Sequence, residues 1–140
     1  PLCGEEYLGR VSGPLMDRFD IRVDVPPVAY ADLELPRSGD TSAKVAERIA
    51  AAHEVQAARY NEVPETRSNA DAAGEVLEET AAPDEEGRSL LMRAAERFNL
   101  SARGYHRVLR VARTIADLDH SITVRRPHIA EAVSFRMGGA

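Results

Sequence analysis

The stretch Ser101-Ala102-Arg103-Gly104-Tyr105-His106-Arg107-Val108-Leu109-Arg110-Val111-Ala112-Arg113-Thr114-Ile115-Ala116-Asp117-Leu118 decides the fold class. Wound at about 100° per residue, it puts Tyr105, Val108, Leu109, Ala112, Ile115 and Ala116 on one face. Arg103, Arg107 and Arg110 fall on the opposite face, with Arg113 at its edge. Ser101 is a natural N-cap, because its hydroxyl accepts a bond from a first-turn N–H. The pattern predicts a helix that buries one side and presents a ridge of guanidinium groups on the other. On spacing alone, such a ridge is a solvated face.

The chain around this helix is short and Ala-rich. Its 140 residues suffice for one small domain or for a piece of a larger protein. The single Cys3 excludes an internal disulfide and fits a reducing, cytoplasmic compartment. No apolar run approaches the roughly 20 residues that span a bilayer. There is no basic-then-apolar signal segment, so no membrane association is expected. Acidic residues outnumber basic ones, 23 to 18, which argues against a nucleic-acid binder of uniformly basic surface. The charge is nonetheless uneven. Residues 61–90 are strongly acidic and residues 101–140 basic. That asymmetry suits packing between subunits, an anion site at the basic end, or compensation between neighbouring helices.

Further helices are predicted on both sides. Asp40-Thr41-Ser42 offers N-caps for a helix over 43–60, with Val45, Ile49 and Ala52 along one side. A short Ala- and Glu-rich helix is predicted over 70–80, weakened by Gly74. Pro83-Asp84-Glu85-Glu86 opens another, its acids at the positive end of the dipole, and Gly87, Leu90, Leu91, Ala94 and Phe98 form its stripe. Ser121–Val124 reads as an extended connector. Pro127 begins a last helix to Met137, with Ile129, Ala132 and Val133 inward. Upstream, Pro14 suits the first position of a helix over 14–19 with Leu15, Met16 and Phe19 on its apolar side. Ile21-Arg22-Val23-Asp24-Val25 alternates as a strand does, and Pro26-Pro27 ends it.

Two blocks carry a family resemblance. Leu100-Ser101-Ala102-Arg103, Tyr105-His106-Arg107 and the unbroken Leu109–Leu118 resemble the sensor-2 helix in the C-terminal lid of magnesium-chelatase-like AAA+ ATPases, the ComM/YifB family. Ser12-Gly13-Pro14-Leu15-Met16-Asp17-Arg18-Phe19-Asp20 resembles that family's arginine-finger motif. The final His128-Ile129-Ala130-Glu131-Ala132 is similar to the end of the family's lid.

The resemblance implies a mainly α fold: a helical-bundle lid over residues 38–140. It is preceded, over residues 1–37, by a helix and one strand left from the α/β ATPase core. With that core's partner strands absent, 1–37 is expected to be poorly ordered, or to fold back on the bundle through Leu15, Phe19 and Val23. By the resemblance, Arg18 is the catalytic arginine finger, reaching a neighbour's ATP. An always-charged planar fork suits the charge that spreads over a transferred phosphoryl group. Read from its neighbours alone, Arg18 pairs with Asp17 or Asp20. Arg103 corresponds to the sensor-2 arginine on the γ-phosphate, in its own subunit's site or a neighbour's.

ATP and Mg²⁺ are the implied cofactors of the longer protein. The implied partners are an upstream core of the same protein, identical subunits in a hexameric ring, and DNA. The chain itself has no Gly-x-x-x-x-Gly-Lys-[Ser/Thr] loop and no apolar run ending in Asp-Glu, so alone it is expected to bind neither cofactor and to be inactive. The family has cysteines spaced as for a metal upstream. With Cys3 alone and no paired His, no metal site is carried over. A different class of function stays open: a stand-alone helical adaptor that binds DNA or protein through the Arg103–Arg113 ridge.

Overall fold

The computed structural model describes Leu15, residues 18–30, Leu33 and residues 39–137. Within these residues the fold is five helices: α1 Ser42–Arg59, α2 Gly74–Thr80, α3 Glu85–Arg97, α4 Ala102–Leu118 and α5 Arg126–Met137. Helix α4 is the centre. It packs against α5, α1 and α2, while α3 closes on α5. The core is aliphatic and Ala-rich, with Leu77, Leu91, Val108, Ala112, Ala116, Val124 and Ile129 at 0–1% exposure. Burying one Leu or Ile in such a core contributes about 1.5–3 kcal/mol.

Each helix start has a local cause. Thr41 Oγ1 accepts from Lys44 N at 3.3 Å, and Asp84 Oδ1 from Gly87 N at 2.7 Å. Ser101 Oγ accepts from Gly104 N at 3.0 Å, the cap its sequence predicts. Helix α2 begins at Gly74, whose φ of +52° only glycine adopts without strain. The predicted break inside a helix is thus its first residue. Between α3 and α4 the chain turns on Asn99, at φ +48°. Beyond this short link α3 packs chiefly on α5, and not on α4 as the short connection leads one to expect.

The structure departs from the pattern in four places. First, only the C-terminal half of α1 packs. Residues 42–50 are all exposed, Val45 and Ile49 among them, and Ala52 and Gln56 are the buried residues of the helix. Among the described residues the thin stripe has nothing opposite its first two turns. Second, α5 buries His128 and Arg136 as well as Ile129 and Ala132. Third, Ile21–Val25 forms no strand and joins no ladder among the described residues. Among the described residues the one β-bridge is Pro83 to Val124, which ties the start of α3 to the connector before α5. A segment outside any ladder satisfies its backbone with water or with single bonds to other elements. Fourth, the apolar side chains of this segment are only partly covered. Phe19 is 51% and Val23 65% exposed. Two hydrogen bonds hold the segment: Arg22 N donates to Phe135 O at 2.9 Å, and Arg136 Nη1 donates to Phe19 O at 2.8 Å.

The helix expected over 14–19 lies mostly outside the described residues. What is described is one turn, Arg18 N to Leu15 O at 2.9 Å. The expectation of poor order over 1–37 likewise falls largely outside them. No helix among the described residues is long and apolar enough to cross a membrane.

Candidate functional site at the N-terminal end of the central helix

The arginines of α4 do not form a ridge. Arg113 is 3% exposed. Its Nε donates to Asp117 Oδ1 at 3.1 Å, while Nη1 and Nη2 cap the chain after α4 through Ile122 O at 2.8 Å and Ser121 O at 2.6 Å. Arg110 Nε donates to Ala72 O at 2.8 Å, which holds the loop before α2. Arg107 Nη1 pairs with Asp20 Oδ1. Three of the four guanidinium groups therefore have work inside the molecule. Arg103 is exposed and has no hydrogen bond or ion pair among the described residues. The expectation of a continuous basic face fails because a helix packed on three sides has little outer face left.

What replaces the ridge is a buried polar cluster that the sequence reading missed. Asp117, its side chain fully buried, accepts from Arg59 Nη1 at 2.9 Å, Arg59 Nη2 at 2.5 Å, Arg113 Nε at 3.1 Å and Asn69 Nδ2 at 2.8 Å. Asn69 Oδ1 accepts in turn from Arg59 Nη1 and Tyr60 Oη, both at 2.9 Å. Burial pushes the Asp117 carboxyl up. The bonds from Arg59 and Asn69 and the charge of Arg113 outweigh it and leave Asp117 below the usual aspartate value. Its bonds raise Arg59, whereas burial pulls Arg113 down. The signal for this cluster was present: Arg113 and Asp117 are four apart, the spacing of a helix ion pair. Its burial was not readable.

The two candidate site arginines lie at the same end of the bundle. Arg103 stands in the first turn of α4, where backbone N–H groups lack helical acceptors and the dipole is positive. Gly104, the next residue, is buried against α5. A Cβ there would sit 3.3 Å from Arg136 Nη2. The same Arg136 holds the carbonyl of Phe19, the neighbour of Arg18. The segment that carries Arg18 is thereby set beside the helix that carries Arg103. Asp20, one of the two local partners open to Arg18, is taken by Arg107. Arg18 is exposed and has no side-chain partner among the described residues. His106 is half-buried on α4 with its ring edge-on to Tyr105. No group of three His, Cys, Asp or Glu residues able to hold a metal occurs among the described residues.

These features define a mainly helical lid-type domain with an exposed arginine at the first turn of its central helix. The comparisons give the family. Residues 39–136 match the family described as magnesium chelatase, subunit ChlI C-terminal, and residues 1–33 match magnesium chelatase, subunit ChlI. The chain belongs to this magnesium-chelatase-related AAA+ family. It is 36% identical over 131 residues to competence protein ComM of Haemophilus influenzae, and 37% identical over 133 residues to the uncharacterized protein YifB of Escherichia coli. Each match covers 93% of this chain and 25% of the relative. An uncharacterized protein of Mycobacterium tuberculosis is 37% identical over 135 residues, covering 96% of this chain and 26% of its own length. The chain thus spans about a quarter of the length of the curated relatives it matches.

Proposed function

We propose that this chain works as the C-terminal portion of a longer AAA+ ATPase that assembles as a ring, and that it supplies two arginines to ATP sites built mainly elsewhere. Arg18 is the finger that stabilises charge on the phosphoryl group in transfer. Arg103 is the sensor-2 residue that reads the γ-phosphate. What supports this reading is that Arg136 and Arg107 hold Phe19 and Asp20 beside the first turn of α4, with Arg18 and Arg103 both exposed there.

A phosphate chain fits this end. The first turn of α4 offers N–H groups, a positive dipole and an exposed guanidinium. Mg²⁺ at a nucleotide takes one or two carboxylates together with phosphate oxygens. In this reading the metal is held by groups outside the described residues. The matched relative is named a competence protein, and DNA remodelling of the ComM kind is the activity proposed for the ring. A chelatase-type ATPase role is the second outcome, distinguished by DNA-stimulated turnover. The adaptor reading is disfavoured, because Arg107, Arg110 and Arg113 are committed inside the fold and do not present a binding ridge.

In the full-length protein, Arg18→Ala is expected to lower ATP turnover about 10³–10⁵-fold with ATP binding retained. Arg103→Ala is expected to lower turnover as well. Near-normal turnover in Arg18→Ala would refute the proposed role.

A further inference from the structure

We propose that Asp20, Arg107 and Arg136 are positioning residues that fix the Arg18 segment to the two helices framing Arg103, so that a displacement of one arginine is passed to the other. The inference rests on the function proposed above. It starts from how the segment is held. Phe19, Ile21 and Val23 are each at least half exposed, and Ile21 only lines a recess beside Val111, Ile115 and Phe135, so hydrophobic burial seats the segment weakly. Contacts fall instead on three nearly consecutive residues. Phe19 gives its carbonyl to Arg136, Asp20 its carboxylate to Arg107, and Arg22 its N–H to Phe135 O.

The anchoring side chains stand where Arg103 is set. Arg107 is four residues on from Arg103, one turn along the same face of α4. Arg136 lies against Gly104, the residue next to Arg103, close enough that any side chain at 104 would press on it. On the segment, Phe19 and Asp20 directly follow Arg18. The path from Arg18 to Arg103 therefore runs through two short connections. One is the Asp20–Arg107 pair, and the other is the bond from Arg136 to Phe19 O. Both span long separations in sequence, 87 and 117 residues. Arg107 is mostly covered, its side chain 18% exposed, and Asp20 is half exposed at 51%. The pair is therefore screened by solvent on the segment's side only.

The test uses the full-length protein and compares Arg107→Asp, Asp20→Arg and the two combined. Each single change is expected to lower kcat at least about 10-fold with ATP KM and binding unchanged, and the charge-reversed pair is expected to restore it. Arg136→Lys keeps a donor for Phe19 O and is expected to retain turnover that Arg136→Met loses. A purely structural role would not give rescue by charge reversal. A second readout does not depend on activity. Spin labels at the exposed positions Val23 and Ala102 are expected to give a narrow distance distribution that broadens in Arg107→Asp. The inference is overturned if Arg18→Ala is inactive while the single variants stay within twofold of normal and the distribution stays narrow. An active Arg18→Ala with a distribution that broadens would instead strike the proposed function and leave the tether standing.

Discussion

Asp117→Ala should be among the most destabilising single changes in this chain. The carboxylate is fully buried and takes four bonds, from Arg59, Arg113 and Asn69. Without it, Arg113 keeps its carbonyl partners but remains a charge at 3% exposure with no counter-ion, and Arg59 loses both strong bonds. Removing one partner of a buried pair costs about 3–5 kcal/mol. A domain of this size has about 5–15 kcal/mol in all. At about 4–8 °C per kcal/mol, the melting temperature should fall by roughly 12–40 °C. The same acid gives a pH signature. Its folded value lies below that of an ordinary aspartate, held down by Arg59, Asn69 and Arg113 against the cost of burial, so its contribution is present above the unfolded value and is lost as pH falls through the folded one. Asp117→Ala should therefore flatten the acid limb of the stability profile below about pH 4. The assay is thermal and urea unfolding followed by circular dichroism across pH 2–7. A loss of under about 3 °C at pH 7 would refute the claim that this cluster holds α1 to α4.

Two smaller predictions concern the caps. Ser101→Ala removes the acceptor for Gly104 N and should cost about 1 kcal/mol in urea unfolding, with Ser101→Gly costing only tenths. Gly87→Ala should destabilise by about 1–3 kcal/mol despite the better helix propensity of Ala. Its Cβ would meet Asp84 Oδ1 at 2.9 Å, Pro83 Cβ at 3.1 Å and the backbone N of Arg126 at 3.3 Å, and a stabilised protein would contradict this.

The helices were legible where the cause is local. Ser101 and Thr41 announce their caps, the acids after Pro83 mark the start of α3, and the 3.6-residue spacing of Val108, Leu109, Ala112 and Ala116 marks the buried side of α4. The failures share one cause, which is that burial depends on neighbours. Arg113 reads as an edge residue until Arg59 and Asp117 surround it. Val45 and Ile49 read as an inward stripe, but nothing described packs on them. Ile21–Val25 has the alternation of a strand and, among the described residues, no strand to pair with. Of the proposed site, Arg18 and Arg103 are named only through the resemblance. Arg107, Asp20 and Arg136 were invisible as a set, because contacts across 87 and 117 residues leave no mark on spacing.

The one-sided packing of α1 has a mechanical consequence. Its 18 residues extend roughly 25 Å at about 1.5 Å per residue. The attached end is Arg59, clamped to Asp117, with Tyr60 buried just beyond it. The other end, at Ser42, touches no other described helix. A rigid rod held that way is a lever. A tilt of about 10° at the clamp, a fraction of an ångström at the guanidinium, carries the Ser42 end through about 4 Å. The gain is set by helix length alone.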